Sequence, residues 1–131
     1  MRQVREPSPE MDVLAKAVID AAIEVHRALG PGFLESIYEE ALAVELTTRQ
    51  IPFERQKPLT VMYKDRAVGE GRIDLVVGGE LLVGLKAVEA LAPIHKAQVI
   101  SYLKAMGRQL GLLINFNVPV LRSGIQRVIL S

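Results

Sequence analysis

Residues 69–88 read GEGRIDLVVGGELLVGLKAV and contain two apolar runs, 73–77 and 81–85, separated by Gly78-Gly79. Each run is short and rich in aliphatic residues, which indicates a β-strand. A Gly-Gly pair between two such runs favours a hairpin turn. Because the apolar residues follow one another almost without alternation, we expect both faces of these strands to be covered, and helices must provide the cover.

Two helices are predicted before this hairpin. Apolar residues recur at helical spacing over 10–29 and again over 33–49. Gly30-Pro31-Gly32 separates the two helices, because glycine accepts a positive φ and proline cannot continue a helix.

Strands and one more helix account for the remaining pattern. Pro93 suits the first position of a helix that ends at Gly107, and Lys64-Asp65 is a turn. The predicted strands cover 59–63, 69–77, 81–88 and 110–116, the helix covers 93–106, and an edge strand covers 125–130. The predicted fold class is therefore α/β (α+β), a mixed central sheet flanked by helices in the order ααβββαβ(β).

The composition sets limits on size and chemistry. The chain has 131 residues, 50% of them apolar, which is enough for a single domain, predicted over 10–131 behind a flexible N-terminus at 1–9. A net charge of +1 excludes a nucleic-acid binder that relies on bulk charge. With no cysteine and two histidines, the chain cannot form disulfides, thiolate zinc sites, a thiol nucleophile or a three-histidine metal site.

Membrane and nucleotide signatures are absent from the sequence. Residues 1–8 lack the apolar core of a secretory signal. The longest uncharged apolar stretch, 110–121, has 12 residues, whereas a membrane span needs about 20. No Gly-Lys pair marks a phosphate loop, and Gly69-Glu70-Gly71 lacks the third glycine of a dinucleotide motif. We therefore predict a cytoplasmic protein with no membrane association and no nucleotide cofactor.

Two charged residues interrupt the apolar strands. Asp74 lies in the first run, and Lys86 follows the second. A buried carboxylate needs a partner or a metal ion. Hairpin pairing brings these strands side by side, so one interpretation is an Asp74–Lys86 ion pair and the other is a metal site.

Glu35 and Tyr38 lie three residues apart on one side of the second helix. They form a candidate site with the preceding Gly32. The alternative is structural, because Gly32 as N-cap would place Glu35 at N3, where a glutamate caps free backbone amides.

The third helix carries a polar stripe. His95, Gln98 and Tyr102 recur at spacings of three and four, beside apolar residues. Tyr102 is compatible with a core position, whereas the Gln98 amide needs specific hydrogen-bond partners. His26, near the end of the first helix, is interpreted as a structural histidine.

In these residues the chain resembles the GxxExxY proteins, a branch of the PD-(D/E)xK nuclease superfamily. The similarity covers nearly the whole chain. The motifs follow in the family's order: Val25-His26-Arg27-Ala28-Leu29-Gly30-Pro31, Gly32-Phe33-Leu34-Glu35-Ser36-Ile37-Tyr38, Asp74, Leu85-Lys86, Pro93-Ile94-His95-Lys96-Ala97-Gln98 and Leu113-Ile114-Asn115-Phe116.

The resemblance implies a restriction-endonuclease-like core and metal-dependent hydrolysis of DNA or RNA. It implies that Asp74 and Glu35 hold Mg²⁺ or Mn²⁺ and that Lys86 activates the attacking water. Gln98 and Tyr102 match a Gln-x-x-x-Tyr motif that lies beside the metal centre. Together with Tyr38 and His95, they are the residues predicted to position the substrate.

Gly84 departs from the family pattern, because the acid of the E-x-K motif is expected at that position. We therefore predict weak metal binding and an impaired nuclease. The alternative is an inactive pseudo-nuclease that binds nucleic acid or protein. A third hypothesis is an oligomeric scaffold, with a homodimer formed through an edge strand within residues 118–130.

Overall fold

The computed structural model describes residues 7–130 and shows the predicted succession of elements. Ser8 caps the first helix by accepting a hydrogen bond from the Met11 N–H. The bounds are α1 Pro9–Leu29, α2 Glu35–Thr48, β1 Phe53–Tyr63, β2 Arg66–Val77, β3 Leu81–Lys86, α3 Pro93–Met106, β4 Leu110–Asn115 and β5 Ile125–Ile129, with a 3-10 turn at Leu121–Gly124 before β5. The order ααβββαβ with a final edge strand is confirmed. Residues 1–6 of the predicted flexible segment lie outside the described range.

The largest difference from prediction is at β1, which begins at Phe53 rather than at residue 59. The early part of this strand is polar and largely exposed, so no alternation marks it. The second helix begins at Glu35 rather than at residue 33, and β3 ends at Lys86 rather than at residue 88.

Both predicted turns have the backbone conformation that tight hairpins require. The φ angles are 60° at Gly78 and 74° at Gly79, and they are 48° at Lys64 and 62° at Asp65. Two consecutive positive φ values match the hairpin geometry that follows the right-handed twist of the strands.

The five strands of the described chain form one mixed sheet in the order β1-β2-β3-β4-β5. The β3–β4 pair is parallel, whereas the other neighbouring pairs are antiparallel. The parallel pair needs a crossover, which α3 provides. The prediction of a mixed central sheet flanked by helices is confirmed.

Helices cover both faces of the central strands. One face packs against α1 and α2, through residues that include Leu75, Val83 and Ile114. The opposite face packs against α3, with Val76 and Leu82 beneath Val99 and Leu103. This arrangement explains why the central strands are apolar almost without interruption.

Two buried polar side chains have structural partners. The His26 ring nitrogen Nε2 donates to the Val118 carbonyl at 2.8 Å, which agrees with the structural interpretation of this histidine. The Asn115 amide accepts from the Val88 N–H at 3.1 Å and donates to the Val88 carbonyl at 2.9 Å. None of the helices within residues 7–130 has the length and apolar character to cross a bilayer.

Candidate functional site

A pocket of about 130 Å³ lies between α3 and the region where β2 and β3 separate. Five elements contribute its lining, namely α2, β2, β3, α3 and β4. The polar members are Glu35 from α2, Arg72 and Asp74 from β2, Lys86 from β3, and Gln98 and Tyr102 from α3. Five of these six residues were singled out in the sequence, and the structure brings them together. Their catalytic and binding roles stay predictions.

The pocket exists because the β2–β3 ladder is short. Its pairing ends at Leu75↔Val83. At the next position, the Asp74 carboxylate oxygen Oδ2 accepts the Leu85 N–H at 2.7 Å. A side chain therefore takes the place of a backbone acceptor, and it holds the carboxylate at the point where the strands diverge.

β2 also changes face at Asp74. Leu75 packs against α1 and α2, whereas Ile73 packs on the α3 side. Regular alternation would place both residues on one face. On the neighbouring strand, Gln56 has a φ of 49°, and the ladder pairs Arg55↔Leu75 and Lys57↔Ile73 on either side of it. The kink in β1 thus lies opposite Asp74.

Burial raises the pKa of Asp74, and the nearby Glu39 carboxylate acts in the same direction. The Leu85 N–H, the Lys86 ammonium and the Gln56 amide lower that pKa, but burial is the largest influence. Asp74 is therefore a half-buried acid whose charged form is less favourable than in water.

The pKa of Glu35 is also raised, first by burial and then by repulsion from Asp74. Glu35 is the first residue of α2, with Leu34 as N-cap and no side-chain capping bond. The alternative that placed Glu35 at N3 as a cap is therefore wrong. The helix begins later because Gly32, with a φ of 110°, still belongs to the connection.

Lys86 forms none of the ion pairs found among residues 7–130. The predicted Asp74–Lys86 ion pair is therefore wrong. Instead, Asp74 bonds to the Leu85 backbone, and the Lys86 ammonium lowers the pKa of both Asp74 and Glu35 through the electrostatic field alone.

The α3 side of the pocket is built from Gln98 and Tyr102. The Gln98 amide donates to the Tyr102 hydroxyl at 3.4 Å. The Tyr102 ring lies against Gly71, where a Cβ atom would come within 3.1 Å of the ring and hydroxyl. Glycine at this position lets the ring pack directly on the β2 backbone.

Two of the predicted substrate-positioning residues have structural positions instead. Tyr38 is fully buried and stacks on Phe116 with ring centroids 4.6 Å apart, and its hydroxyl donates to the Gly30 carbonyl. Nδ1 of His95 accepts the Ala92 N–H at 2.9 Å and so caps α3. Neither side chain lines the pocket. Tyr38 stabilises the connection between α1 and α2, and His95 stabilises the start of α3.

The structure adds residues that sequence reasoning missed. The Gln56 amide donates to Glu39 at 2.6 Å, and Arg55 bonds to the same carboxylate at 3.1 Å. Glu39 lies one helical turn after Glu35, and Arg72 lies two residues before Asp74, so spacing could have indicated both. No sequence signal marked Gln56, because its segment was not predicted as a strand.

The carboxylates of the pocket do not form a dense metal cluster. Within residues 7–130, no three His, Cys, Asp or Glu side chains are grouped closely enough to hold an ion together. Gly84 leaves room at the position of the expected acid, since a Cβ atom there would make ordinary contacts of 3.6 Å with Leu113 and Val99.

Comparison with known proteins agrees with this architecture. A family model for the PD-(D/E)XK nuclease superfamily matches residues 12–128. No curated protein and no solved structure matches the chain. The mixed five-stranded sheet with three helices is the restriction-endonuclease-like fold. Since the match covers most of its length, the chain belongs to the PD-(D/E)XK nuclease superfamily.

Proposed function

We propose that this protein is a metal-dependent phosphodiester hydrolase of the GxxExxY branch, with activity reduced by Gly84. The observation that carries the proposal is one pocket that holds Asp74, Glu35 and Lys86 beside Gln98, in a chain of the nuclease superfamily. The Gly-x-x-Glu-x-x-Tyr spacing that ends at Tyr38 supports the branch.

The acids of the pocket fit a divalent cation. Asp74 and Glu35 line the same space, and the Asp74 charge raises the pKa of Glu35. A hard cation such as Mg²⁺ or Mn²⁺ favours carboxylate oxygens and is often held by one or two of them, with water as the other ligands. When bound, it would offset charge that develops on a phosphodiester.

Lys86, Gln98 and Tyr102 supply the hydrogen-bonding groups of the proposed site. Lys86 has no carboxylate partner among the described ion pairs, so its ammonium is available to orient a water molecule. Gln98 and Tyr102 supply an amide and a hydroxyl on the opposite wall, which suit the oxygens of a phosphate group.

A second candidate, an inactive pseudo-nuclease that binds nucleic acid, is favoured by Gly84. This residue supplies no oxygen ligand where the family has an acid. The pseudo-nuclease hypothesis predicts that the protein binds nucleic acid but does not cleave it in the presence of metal.

Cleavage of labelled DNA and RNA in Mg²⁺ or Mn²⁺ tests the hydrolase. We expect slow cleavage by the wild type, loss of cleavage in Asp74→Asn and Lys86→Met, and unchanged cleavage in Asp65→Asn. Asp65 is a matched control because it is an exposed acid in the β1–β2 turn. Calorimetry with the same metals should show heat for the wild type and none for Asp74→Asn. If the wild type cleaves none of these substrates, the hydrolase proposal is contradicted and the pseudo-nuclease is the remaining candidate.

A further inference from the structure

Gln56 adopts a backbone conformation that is costly for a residue with a side chain. Its φ of 49° lies in the left-handed region, which is sterically unfavourable for a residue other than glycine. Residues held this way persist only when their surroundings fix them. Here Gln56 lies opposite Asp74, and neither residue is among the paired residues of the β1–β2 ladder.

The Gln56 carbonyl has a specific partner. It accepts a hydrogen bond from an Arg72 guanidinium nitrogen, Nη1, at 3.2 Å. The kinked residue thus contacts two neighbouring elements: its side-chain amide donates to Glu39 of α2, and its carbonyl accepts from Arg72 of β2. This bond joins the exposed guanidinium to the β1 backbone at the kink.

Arg72 keeps most of its donors free. A guanidinium has five N–H groups, and one nitrogen is used by the Gln56 carbonyl. Arg72 belongs to none of the ion pairs found in the described part of the chain. By contrast, Arg55 on the adjacent strand is bound to two carboxylates. The Arg72 charge is exposed and unneutralised at the rim of the pocket.

The backbone around Arg72 is rigidly placed. Its neighbour Gly71 lies beneath the Tyr102 ring, and Ile73 on the other side is 3% exposed. A guanidinium that already has a partner on a well-packed strand loses less conformational freedom on binding than one without a partner, and it binds phosphate oxygens in a fork of parallel hydrogen bonds.

We propose that Arg72 is a phosphate-binding residue that holds a phosphodiester of the nucleic acid at the mouth of the pocket, with the Gln56 carbonyl fixing its direction. The inference rests on the proposed function for the location of the substrate. It adds a contact that neither the sequence motifs nor the metal ligands provide. It concerns binding, so it does not depend on whether the chain cleaves.

Binding of short fluorescent oligonucleotides, measured by anisotropy in EDTA over a series of salt concentrations, tests this assignment. Single-stranded DNA, single-stranded RNA and duplex DNA are separate arms. The variants are Arg72→Gln, Arg72→Lys and the matched control Arg66→Gln, an exposed arginine near the β1–β2 turn that does not line the pocket. Thermal unfolding checks that each variant is folded.

We expect Arg72→Gln to weaken binding about tenfold or more. The slope of log affinity against log salt should fall by about 0.7 to 0.9, the loss of one phosphate contact. Arg72→Lys should retain the slope and recover part of the affinity, because it keeps the charge and loses the fork. Arg66→Gln should bind within about twofold of wild type.

Three results would overturn the assignment: no binding by the wild type, unchanged affinity and slope in Arg72→Gln, or an equal loss in Arg66→Gln. If Arg72→Gln is unfolded, the lysine variant decides, since wild-type affinity in Arg72→Lys would contradict a forked arginine–phosphate contact. A chain that binds through Arg72 and cleaves nothing would contradict the hydrolase and support the binding site.

Discussion

Gly69 and Gly71 lie at alternate positions of β2, but their surroundings differ. A Cβ atom at Gly71 would lie 3.1 Å from Tyr102, whereas Gly69 has nothing within 4 Å. We expect Gly71→Ala to destabilise the fold by about 1 to 3 kcal/mol, because the ring must move. The matched variant Gly69→Ala should change the free energy of unfolding by less than about 1 kcal/mol. Urea unfolding measures both, and equal effects would contradict the packing of Tyr102 on β2.

Asp74 has a raised pKa, so the folded protein binds a proton there more tightly than the unfolded chain does. Its contribution to stability is present at acid pH and is lost as the pH rises from the ordinary value of 3.8 through the folded pKa. Above that range the half-buried carboxylate is charged, and this charge lowers the free energy of unfolding. Asparagine does not have this cost, and its amide oxygen can still accept the Leu85 N–H.

We therefore expect Asp74→Asn to be at least as stable as the wild type at neutral pH, in urea unfolding followed by circular dichroism. The difference should close at a pH below 3.8. Asp65→Asn is the control. A loss of about 3 to 5 kcal/mol would instead indicate a broken buried ion pair and would contradict the contacts described above.

Gly84 offers a direct test of the missing acid. We expect Gly84→Glu to gain stability from Mg²⁺ or Mn²⁺, by about 2.7 kcal/mol at a metal concentration a hundredfold above Kd. The matched variant Gly84→Gln fills the same space without charge and should gain no more than the wild type. Melting temperature with metal and with EDTA provides the measurement. Equal gains in both variants would mean that the added carboxylate does not reach the ion.

The C-terminal end of α2 is under backbone strain. Gln50 follows the C-cap residue Arg49 with a φ of 59°, a position where glycine is preferred. We expect Gln50→Gly to stabilise the protein by about 1 kcal/mol in urea unfolding. Gln50→Ala keeps the steric penalty and should give no gain. A destabilised glycine variant would show that the Gln50 side chain has a role of its own.

The elements that could be predicted from the sequence are those that hydrophobic periodicity and glycine mark together. Helix α3 was predicted with its observed bounds, because Pro93 begins it and Gly107, with a φ of 66°, ends it. Strand β1 was predicted only in part. Its first residues are exposed on a sheet edge, so burial imposes no alternation on their sequence.

The pocket was predictable where a polar residue interrupts an apolar pattern, as at Asp74 and Lys86. It was not predictable where tertiary contacts determine the position of a side chain. Tyr38 has the spacing of a site residue, but it is buried and stacks on Phe116, the residue that follows β4. Gln56 carries no local signal, because its conformation depends on the strand beside it.

For the whole molecule, the fold class followed from the central strands, whose apolar faces require helices on both sides. Edge strands β1 and β5 complete the sheet. The homodimer through an edge strand within residues 118–130 stays a prediction. The structure contains an edge strand in this segment, β5. The distribution of apolar residues thus specified the layers, whereas the part of β1 before residue 59 and its pairing with β2 required the structure.

The parallel β3–β4 pair has a consequence for the time course of folding. The hairpins β1–β2 and β2–β3 join neighbouring segments, whereas β4 can pair with β3 only after α3 has crossed the sheet. Contacts distant in sequence form more slowly, because a longer loop must close. The pocket needs α3, so a refolding chain should acquire strand content before it acquires the proposed nucleic-acid binding. Stopped-flow circular dichroism and oligonucleotide anisotropy on one refolding sample should therefore separate in time, with affinity for the oligonucleotide appearing in the slowest phase.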